Sequence, residues 1–387
     1  MNGASTPARL RLRLGMVGGG PGAFIGGVHR AAARLDDQFV LVAGAFSSHP
    51  ARNAEMAAAL HLDPARCHDD FTVMARTEAA RADGVDAVAI VTPNDLHCAA
   101  ATAFLDAGIH VLCEKPLALN VAEGERMAAS AAASGAILAL AHTYSGYPMV
   151  RHARDLVNAG ELGAPRVIQV EYPQDWLALP IERGGNKQAG WRTDPARTGA
   201  GGCIGDIGTH AFQLAEFVSG LRCEAVAAQL STFVPGRLVD DDVQALLRFE
   251  GGARGMLWSS QVAAGHANGL RLRVYGEKAS LAWFQEQPNE LLFSPVGEPP
   301  RTIMRGMTGP GQGMLATRLP AGHPEGYFEA FAQLYRDFAA IIRAKQAGTP
   351  VAAAANPLPL AETGVRGMRF IEAAVGSSRA GGQWQTI

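Results

Sequence analysis

Four short segments of the sequence carry side chains that can move a proton or stabilise a developing charge: residues 92–97, 114–116, 142–144 and 206–210. In the last segment, Asp206 and His210 are four residues apart, which places both side chains on one face of a helix. A histidine with a pKa near neutrality can accept the proton of a hydroxyl group. Lys115 can donate a hydrogen bond to the same oxygen and stabilise its negative charge. These residue types predict proton abstraction from an alcohol.

The first part of the chain must bring three of these segments together. Its apolar runs are continuous and rich in β-branched residues, as expected of strands buried on both faces. They alternate with alanine-rich stretches of helical length at 51–60, 96–107 and 121–134. This alternation is typical of a parallel sheet with crossover helices. We therefore predict a doubly wound α/β domain over residues 1–147.

The pattern changes after a helix predicted at 148–160. The next apolar runs have partial polar alternation and little helix between them, which predicts an open, mainly antiparallel sheet; they are 166–172, 243–252, 253–262 and 270–276. Segment 286–324 is rich in proline and glycine and is interpreted as an irregular surface excursion. Helical patterns return at 325–345 and 359–375. Residues 148–387 are therefore predicted to form an α+β domain.

A glycine cluster at residues 18–26 (GGGPGAFIG) follows the first apolar run. Gly18, Gly20 and Ala23 satisfy the pattern G-x-G-x-x-A, in which glycines permit a tight turn and let a pyrophosphate approach bare backbone at a helix N-terminus. We predict a dinucleotide site at this cluster, with Phe24 and Ile25 beside it. The alternative is a glycine-rich surface turn.

The region after the second apolar run lacks the carboxylate that commonly holds the adenosine ribose of NAD. Ser47, Ser48 and Arg52 stand there instead and are able to bind the 2′-phosphate of NADP. The alternative for Arg52 is a solvated helix residue. The expected cofactor is NAD(H) or NADP(H), and the sequence leaves the choice open.

Composition and charge argue against several classes of protein. The 387 residues are 48% hydrophobic with a net charge of −2, which indicates a globular chain without the basic field of a nucleic-acid-binding protein. The five scattered cysteines form neither a disulfide framework nor a zinc ribbon, and no metal ligand spacing is met by residues 61–70. No apolar run has the length of a membrane span, and no signal-peptide core follows the basic residues 1–15. We expect a cytoplasmic protein.

The motifs T-P-N-x-x-H at 92–97, E-K-P at 114–116 and D-x-x-x-H at 206–210 occur together. With them the chain resembles the Gfo/Idh/MocA oxidoreductase family over nearly its whole length. The resemblance implies a Rossmann domain, a second domain with an open sheet, and NAD(P)-dependent oxidation of a CH–OH group. His210 is then the general base, Asp206 the substrate orienter and Lys115 the electrostatic catalyst, although in some members the lysine is the base. The glycine cluster is longer than the family's usual G-x-G-x-x-G-x-x-H.

Ligands of an open α/β sheet bind beyond the carboxyl ends of its strands. The cofactor is therefore expected to meet Thr92, Asn94, His97, Glu114 and Lys115, with the alternative that His97 only positions its loop. Aromatic and polar groups suited to a ring with several hydroxyls are the candidates for substrate binding: Tyr144, Tyr172, Gln174, Asp175, Trp176, Lys187, Trp191, Arg192, Asp206 and His210. The family resemblance likewise implies an inositol-, glucoside- or anhydrosugar-like substrate.

Two other functions stay open as alternatives. One is a glycosidase that uses NAD transiently, and the other is a non-catalytic nucleotide-binding sensor, which the presence of Lys115 and His210 disfavours. If the wetter face of the second sheet carries apolar residues such as Leu257 and Val274, a second copy of the chain should cover it. We therefore predict a homodimer or homotetramer.

Overall fold

The computed structural model describes residues 11–349 and 357–387. Residues 1–10, which make up most of the basic segment considered above, lie outside the described residues. Within the described ranges, no helix is both long enough and apolar enough to cross a lipid bilayer.

Five parallel strands form the first sheet of the described chain, in the order β2-β1-β3-β4-β5. Residues such as Leu14, Val88, Ile90 and Val111 are completely buried, because helices pack on both faces of this sheet. The predicted doubly wound α/β fold is confirmed. Its elements are β1 Leu12–Gly18, α1 Phe24–Leu35, β2 Phe39–Ala45, α2 Pro50–Ala59, α3 Phe71–Ala79, β3 Ala87–Val91, α4 His97–Asp106, β4 His110–Cys113, α5 Val121–Ser134 and β5 Leu138–Leu140.

A second sheet follows the helix α6 Pro148–Asn158. In the described residues it has nine strands in the order β13-β12-β11-β10-β6-β9-β8-β7-β14, and only β6 and β9 pair in parallel. The predicted open, mainly antiparallel sheet is confirmed. Its strands are β6 Pro165–Pro173, β7 Cys223–Ser231, β8 Asp242–Phe249, β9 Arg254–Ser260, β10 Arg271–Gly276, β11 Ala279–Phe284, β12 Glu290–Pro295, β13 Arg301–Met304 and β14 Gln385–Thr386.

The helices of the second half connect the two sheets. After α6, their bounds are α7 Lys187–Arg192, α8 Pro195–Thr198, α9 Thr209–Ser219, α10 Gln312–Ala316, α11 Tyr327–Gln346 and α12 Ala361–Arg379. Helices α6, α9 and α12 pack on one face of the second sheet, while α11 packs against α1 and α12 also packs against α5 of the first half. Phe331 and Phe338 of α11 share a core with Leu14 and Met16 of β1.

The interpretation of segment 286–324 as an irregular excursion is wrong. The segment contains β12, β13 and α10. Leu291 and Phe293 alternate with exposed neighbours and are buried, so β12 extends the sheet beside β11. The prolines did not prevent this pairing, because Pro288 and Pro295 stand at or beyond the ends of the strand, where no ladder hydrogen bond is interrupted.

The prediction that Leu257 and Val274 lie on the open face of the second sheet is also wrong. Leu257 and Val274 are 2% and 0% exposed, so they lie on the face covered by helices. Their neighbours Met256 and Tyr275 point the other way and are 43% and 39% exposed, because successive side chains of a strand alternate between faces. Leu246 pairs across from Met256 and is exposed as well. An apolar open face therefore exists, but other residues form it.

Candidate active site

A cavity of about 1050 Å³ extends from the glycine cluster to the second sheet. It lies beyond the carboxyl ends of β1, β2, β3 and β4, where ligands of such sheets bind. Residues of the second half close its other end. The predicted site residues that line it are Gly18, Gly20, Ala23, Phe24, Ile25, Ser47, Ser48, Arg52, Thr92, Asn94, Glu114, Lys115, Tyr144, Tyr172, Gln174, Trp176, Lys187, Trp191, Arg192, Asp206 and His210.

Two predicted residues do not line the cavity. His97 is completely buried, and its ring nitrogens lie 2.9 Å from the carbonyl oxygen of Pro116 and 3.0 Å from that of Thr92. Its position is that of a residue that connects two strand-end loops, the alternative considered above. Asp175 accepts a hydrogen bond from the backbone of Gly265 outside the cavity.

Lys115 and Asp206 form the central ion pair of the site. The Lys115 ammonium donates to Oδ1 of Asp206 at 2.9 Å and to the backbone oxygen of Asp206 at 2.7 Å. An ammonium has three protons, so one remains for another acceptor. Both side chains are mostly buried, which strengthens the electrostatic interaction between them.

The second carboxylate oxygen of Asp206 is also occupied. Gln261 donates to Oδ2 at 2.8 Å, and the Arg192 guanidinium lies 3.4 Å from the same atom. Burial acts to raise the pKa of Asp206, but the charges of Lys115 and Arg192 outweigh it and hold that pKa well below its usual range. Asp206 is thus ionised and positions Lys115. Sequence analysis missed Gln261, which carries no motif and lies 55 residues from its partner.

His210 stands in the first turn of α9, just after a π-helical turn at Ile204–Gly208 that contains Asp206. Its ring packs edge-on against Tyr144 and His142, with centroids 4.9 and 5.4 Å away, and its Nδ1 has no hydrogen-bond partner. Burial first, and then the charge of Lys115, lower the pKa of His210 well below 6.5. The imidazole is therefore neutral and able to accept a proton.

Glu114 does not take part in the ion pair between Lys115 and Asp206. It anchors the loop that carries Lys115. Its Oε1 lies 2.8 Å from Nε2 of His29, and Nδ1 of His29 lies 2.7 Å from the Tyr335 hydroxyl. Its Oε2 accepts the backbone N–H of Lys115 at 3.1 Å. This buried network joins α1, the end of β4 and α11, so Glu114 is placed as a structural carboxylate on the cavity wall.

The glycine cluster has the shape of a phosphate cradle. A Cβ on Gly18, whose φ is +86°, would lie 2.9 Å from the carbonyl oxygen of Val91, and one on Gly26 would lie 2.4 Å from the Cα of Gly19. Gly26, three residues later than the position of Ala23 in the usual pattern, therefore provides the close packing of helix on loop. Ala23 precedes α1 without capping it by a side chain, so the N–H groups of the first helical turn can receive an anion. The cradle fits a pyrophosphate.

The opposite end of the cradle contains groups of both charges. Ser47, Ser48 and Arg52 line it as predicted, but Asp69 and Asp70 line it too. Asp69 accepts a hydrogen bond from Asn53, and Asp70 caps α3 through the backbone N–H groups of Thr72 and Val73. Sequence analysis assigned no site role to residues 61–70. It therefore missed that Asp69 and Asp70, which follow α2 in the chain, line the cavity. Among the described residues, no group of histidine, cysteine and acidic side chains is arranged to hold a metal.

The substrate end of the cavity combines aromatic faces with polar groups. The Arg192 guanidinium lies 4.2 Å from the ring centroid of Trp191 and 5.8 Å from that of Trp176, and it also contacts Gln188. Segment 174–198 thus forms a wall over Asp206. It reaches the first half of the chain through Asn94, which donates to the carbonyl oxygen of Thr198 at 3.1 Å.

Two family models match this chain. Residues 12–142 match the model described as "Oxidoreductase family, NAD-binding Rossmann fold", and residues 150–282 match the "GFO/IDH/MocA C-terminal domain". The matched segments make up more than half of the chain and contain the glycine cluster, Lys115, Asp206 and His210.

Solved structures are similar over nearly the whole chain. An oxidoreductase from Sinorhizobium meliloti is 47% identical, with a TM-score of 0.88 over 97% of this chain and 100% of that chain. An inositol dehydrogenase homolog from Azotobacter vinelandii, complexed with NADH and myo-inositol, is 37% identical, with a TM-score of 0.90 over 97% and 98%. A levoglucosan dehydrogenase complexed with NADH and levoglucosan is 26% identical, with a TM-score of 0.84 over 98% and 99%.

Proposed function

The chain belongs to the Gfo/Idh/MocA oxidoreductase family, and we propose that it oxidises a secondary hydroxyl group of a cyclic polyol or sugar with a nicotinamide dinucleotide. One observation carries the proposal: Lys115, Asp206 and His210 come from separate elements and line one cavity with the phosphate cradle. The similar structures include an inositol dehydrogenase homolog complexed with myo-inositol and a levoglucosan dehydrogenase complexed with levoglucosan, which supports the same substrate class.

The cofactor would be held by the glycine cluster at its pyrophosphate and by the loops after β3 and β4 at its nicotinamide end. When bound, the nicotinamide supplies a hydride acceptor. Thr92, Asn94 and Glu114 line the cavity there. The buried hydrogen bonds of His97 and Glu114 keep both loops in place, so the nicotinamide end of the cavity is preorganised for binding.

The protein's own part of the reaction is proton transfer and charge stabilisation. The neutral imidazole of His210 accepts the hydroxyl proton of the substrate. Lys115 donates its remaining N–H to the substrate oxygen, which acquires negative charge as the proton leaves. Asp206 holds the ammonium of Lys115 in place through Oδ1, while Gln261 and Arg192 hold Asp206 through Oδ2.

A ring with several hydroxyls suits the substrate end of the cavity. The faces of Trp176 and Trp191 can pack on the C–H surface of such a ring, and Gln174, Lys187 and Arg192 can hydrogen-bond its hydroxyls. The test is a screen of purified protein, with NAD⁺ and NADP⁺, against inositols, hexoses, 1,6-anhydrohexoses and alkyl glycosides. The expected result is reduced cofactor formed in step with a ketone.

Two outcomes of this screen would contradict the proposal. Glycoside cleavage without net reduction of the cofactor would indicate a glycosidase with transient redox chemistry. Tight cofactor binding without turnover of any compound would indicate a nucleotide-binding sensor.

Cofactor choice gives a prediction for Arg52. Asp69 and Arg52 both line the end of the cavity where the adenosine ribose would lie. Because a carboxylate suits the ribose hydroxyls of NAD and a guanidinium suits the 2′-phosphate of NADP, we propose that both cofactors bind. Arg52→Ala is expected to weaken NADP⁺ binding by about 1–3 kcal/mol, the value of a hydrogen bond to a charged group, and to leave NAD⁺ binding nearly unchanged. Titration of both cofactors into wild type and variant measures the difference. Arg76→Ala, an exposed residue of α3 that does not line the cavity, is the matched control. Equal losses for NAD⁺ and NADP⁺ would mean that Arg52 does not contact the 2′ position.

The apolar open face of the second sheet supports a homo-oligomer. Leu246, Met256, Tyr275 and Leu292 share this face and are exposed. Large exposed apolar patches are uncommon on monomers and mark surfaces that other molecules cover. We expect light scattering at micromolar concentration to give the mass of a dimer or tetramer, and Leu246→Glu to lower that mass. A wild-type mass equal to one chain would contradict the prediction.

A further inference from the structure

Three consecutive buried aspartates stand where the chain enters β8, and the mechanism above gives none of them a role. They are Asp240, Asp241 and Asp242, which are 7%, 0% and 6% exposed. Asp242 accepts the indole N–H of Trp258 at 3.0 Å, and Asp241 pairs with Arg237 at 3.1 Å. Asp240 faces the π-helical turn of the active site instead.

Asp240 accepts hydrogen bonds from three successive backbone N–H groups at the start of this turn. The N–H of Gly202 donates to Oδ1 at 2.6 Å, that of Ile204 to Oδ2 at 2.8 Å, and that of Cys203 to the backbone oxygen of Asp240 at 2.9 Å. A Cβ on Gly202 would lie 2.5 Å from this backbone oxygen, so a glycine is needed for the close approach. Because each carboxylate oxygen serves a different N–H group, an amide in its place would set an NH2 group against one of the donors.

The π-helical turn Ile204–Gly208, which we call the Asp206 turn, places both acceptors of the Lys115 ammonium. The N–H of Thr209 donates to the backbone oxygen of Ile204, which is the i→i−5 bond of a π-helix. Lys115 donates to Oδ1 and to the backbone oxygen of Asp206. A shift of the Asp206 turn therefore displaces both contacts of Lys115 together.

The segment that contains Asp240 also supports Asp206 from its other side. The backbone N–H of Gln261 donates to the backbone oxygen of Asp241 at 2.8 Å, and the Gln261 amide donates to Oδ2 of Asp206 at 2.8 Å. Residues 240–241 thus fix Asp206 through the Asp206 turn and through Gln261.

We propose that Asp240 is a positioning residue for the reaction: its carboxylate fixes the Asp206 turn, and the turn holds Lys115 at the substrate oxygen. This inference rests on the proposed function, because it takes Lys115 and Asp206 as parts of the reaction machinery. Asp240 does not line the cavity, so it acts on turnover through other residues and not by contact with substrate or cofactor. Sequence analysis missed it, since it stands 36 residues from Ile204 and belongs to no motif.

The environment of Asp240 adds a pH signature. Burial raises the pKa of Asp240 to about 6 against the effect of its two N–H donors, and the charge of Asp241 raises it further. Asp242, Cys203 and Asp206 are the other titratable groups around it. The pKa of Asp206 is held well below its usual range and burial raises that of the Cys203 thiol, so neither changes charge near pH 6. Protonation of Asp240 weakens its hold on the turn, and activity should fall as pH drops through this pKa.

The test is Asp240→Asn, with Asp242→Asn as the matched control. The control makes the same chemical change in a neighbouring buried aspartate that does not line the cavity. At neutral pH, Asp240→Asn is expected to lower kcat with the best polyol of the screen by about 10- to 10²-fold, the scale of a small misplacement of reacting groups. NADH affinity and the control's kcat should stay close to those of wild type. A kcat near that of wild type in Asp240→Asn, or an equal loss in Asp242→Asn, would overturn the inference.

The pH profile separates positioning by the carboxylate from general damage to the fold. The wild-type kcat/KM is expected to decline as pH falls through about 6, the pKa of Asp240. An asparagine does not titrate, so the profile of Asp240→Asn should be lower but level there and decline only where His210 is protonated. A lower profile with an unchanged midpoint would indicate a merely structural role and overturn the inference.

Hydrogen exchange of residues 202–209 gives a readout without turnover. The wild type is expected to exchange faster at about pH 5 than at about pH 7, after correction for the intrinsic pH dependence, because protonated Asp240 releases the turn. At neutral pH, Asp240→Asn should exchange faster than wild type and Asp242→Asn should not. Equal corrected exchange of the wild type at both pH values would overturn the inference even if Asp240→Asn failed to fold.

The two proposals fail in different ways. If no polyol of the screen is oxidised, the proposed function is wrong, and faster exchange in Asp240→Asn would then leave Asp240 a purely structural support, which also overturns the inference. If polyols are oxidised but Asp240→Asn behaves as wild type, the oxidation stands and the positioning by Asp240 is wrong.

Discussion

Lys115→Met is expected to lower kcat by about 10²-fold or more, the scale of losing a positioned electrostatic donor. The variant keeps an unbranched apolar side chain but removes the ammonium that Asp206 holds through two contacts of 2.7 and 2.9 Å. Gln261 and Arg192 remain to pair with the buried Asp206 carboxylate, so the fold should survive. Initial rates with the best polyol of the screen measure the loss, and a cofactor titration should give near wild-type affinity.

Lys278→Met is the matched control for this prediction, since Lys278 is exposed and does not line the cavity. It should leave kcat near that of wild type. Comparable turnover in Lys115→Met would remove Lys115 from the mechanism, and loss of cofactor binding in that variant would point to a structural role.

His210→Asn is expected to lower kcat/KM by about 10²- to 10⁴-fold, the range for loss of a general base. Asparagine preserves polarity and approximate size but cannot take up a proton. Its expected signature is a rate loss with little change in cofactor affinity. If the variant kept nearly full activity, His210 would not be the general base. Lys115 would then be the first candidate for that role.

The pH dependence of the wild type tests the same assignment. His210 works as a base only when neutral, so activity is lost as pH falls through its pKa. Since burial and Lys115 lower that pKa well below 6.5, kcat/KM should stay level from neutral pH down through 6.5 and decline only below it. A decline centred at or above pH 6.5 would contradict the environment described for His210.

The sequence alone determined the alternation of strands and helices in the first half of the chain and the residue types that stand at the ends of its strands. A strand that is covered on both faces is apolar along most of its length. The strands Leu12–Gly18 and Ala87–Val91 can therefore be recognised from the sequence without knowledge of the strands they pair with. Ligands bind beyond the carboxyl ends of such strands in parallel sheets, and for this reason Lys115 and the glycine cluster could be predicted to share a site. Both line the same cavity. The spacing of Asp206 and His210 likewise predicted one shared site, and both line one cavity.

Only the tertiary structure decided which groups these residues meet. Lys115 and Asp206 are 91 residues apart, and Asp206 and Gln261 are 55 apart, so no local pattern records their contacts. His97 belongs to a motif, yet its ring nitrogens face two backbone carbonyl groups and its side chain does not line the cavity. The faces of the second sheet show the same principle. Alternation along a strand is visible in the sequence, but a shift of one residue reverses which side is covered, and only the packed helices place Leu257 inside and Met256 outside.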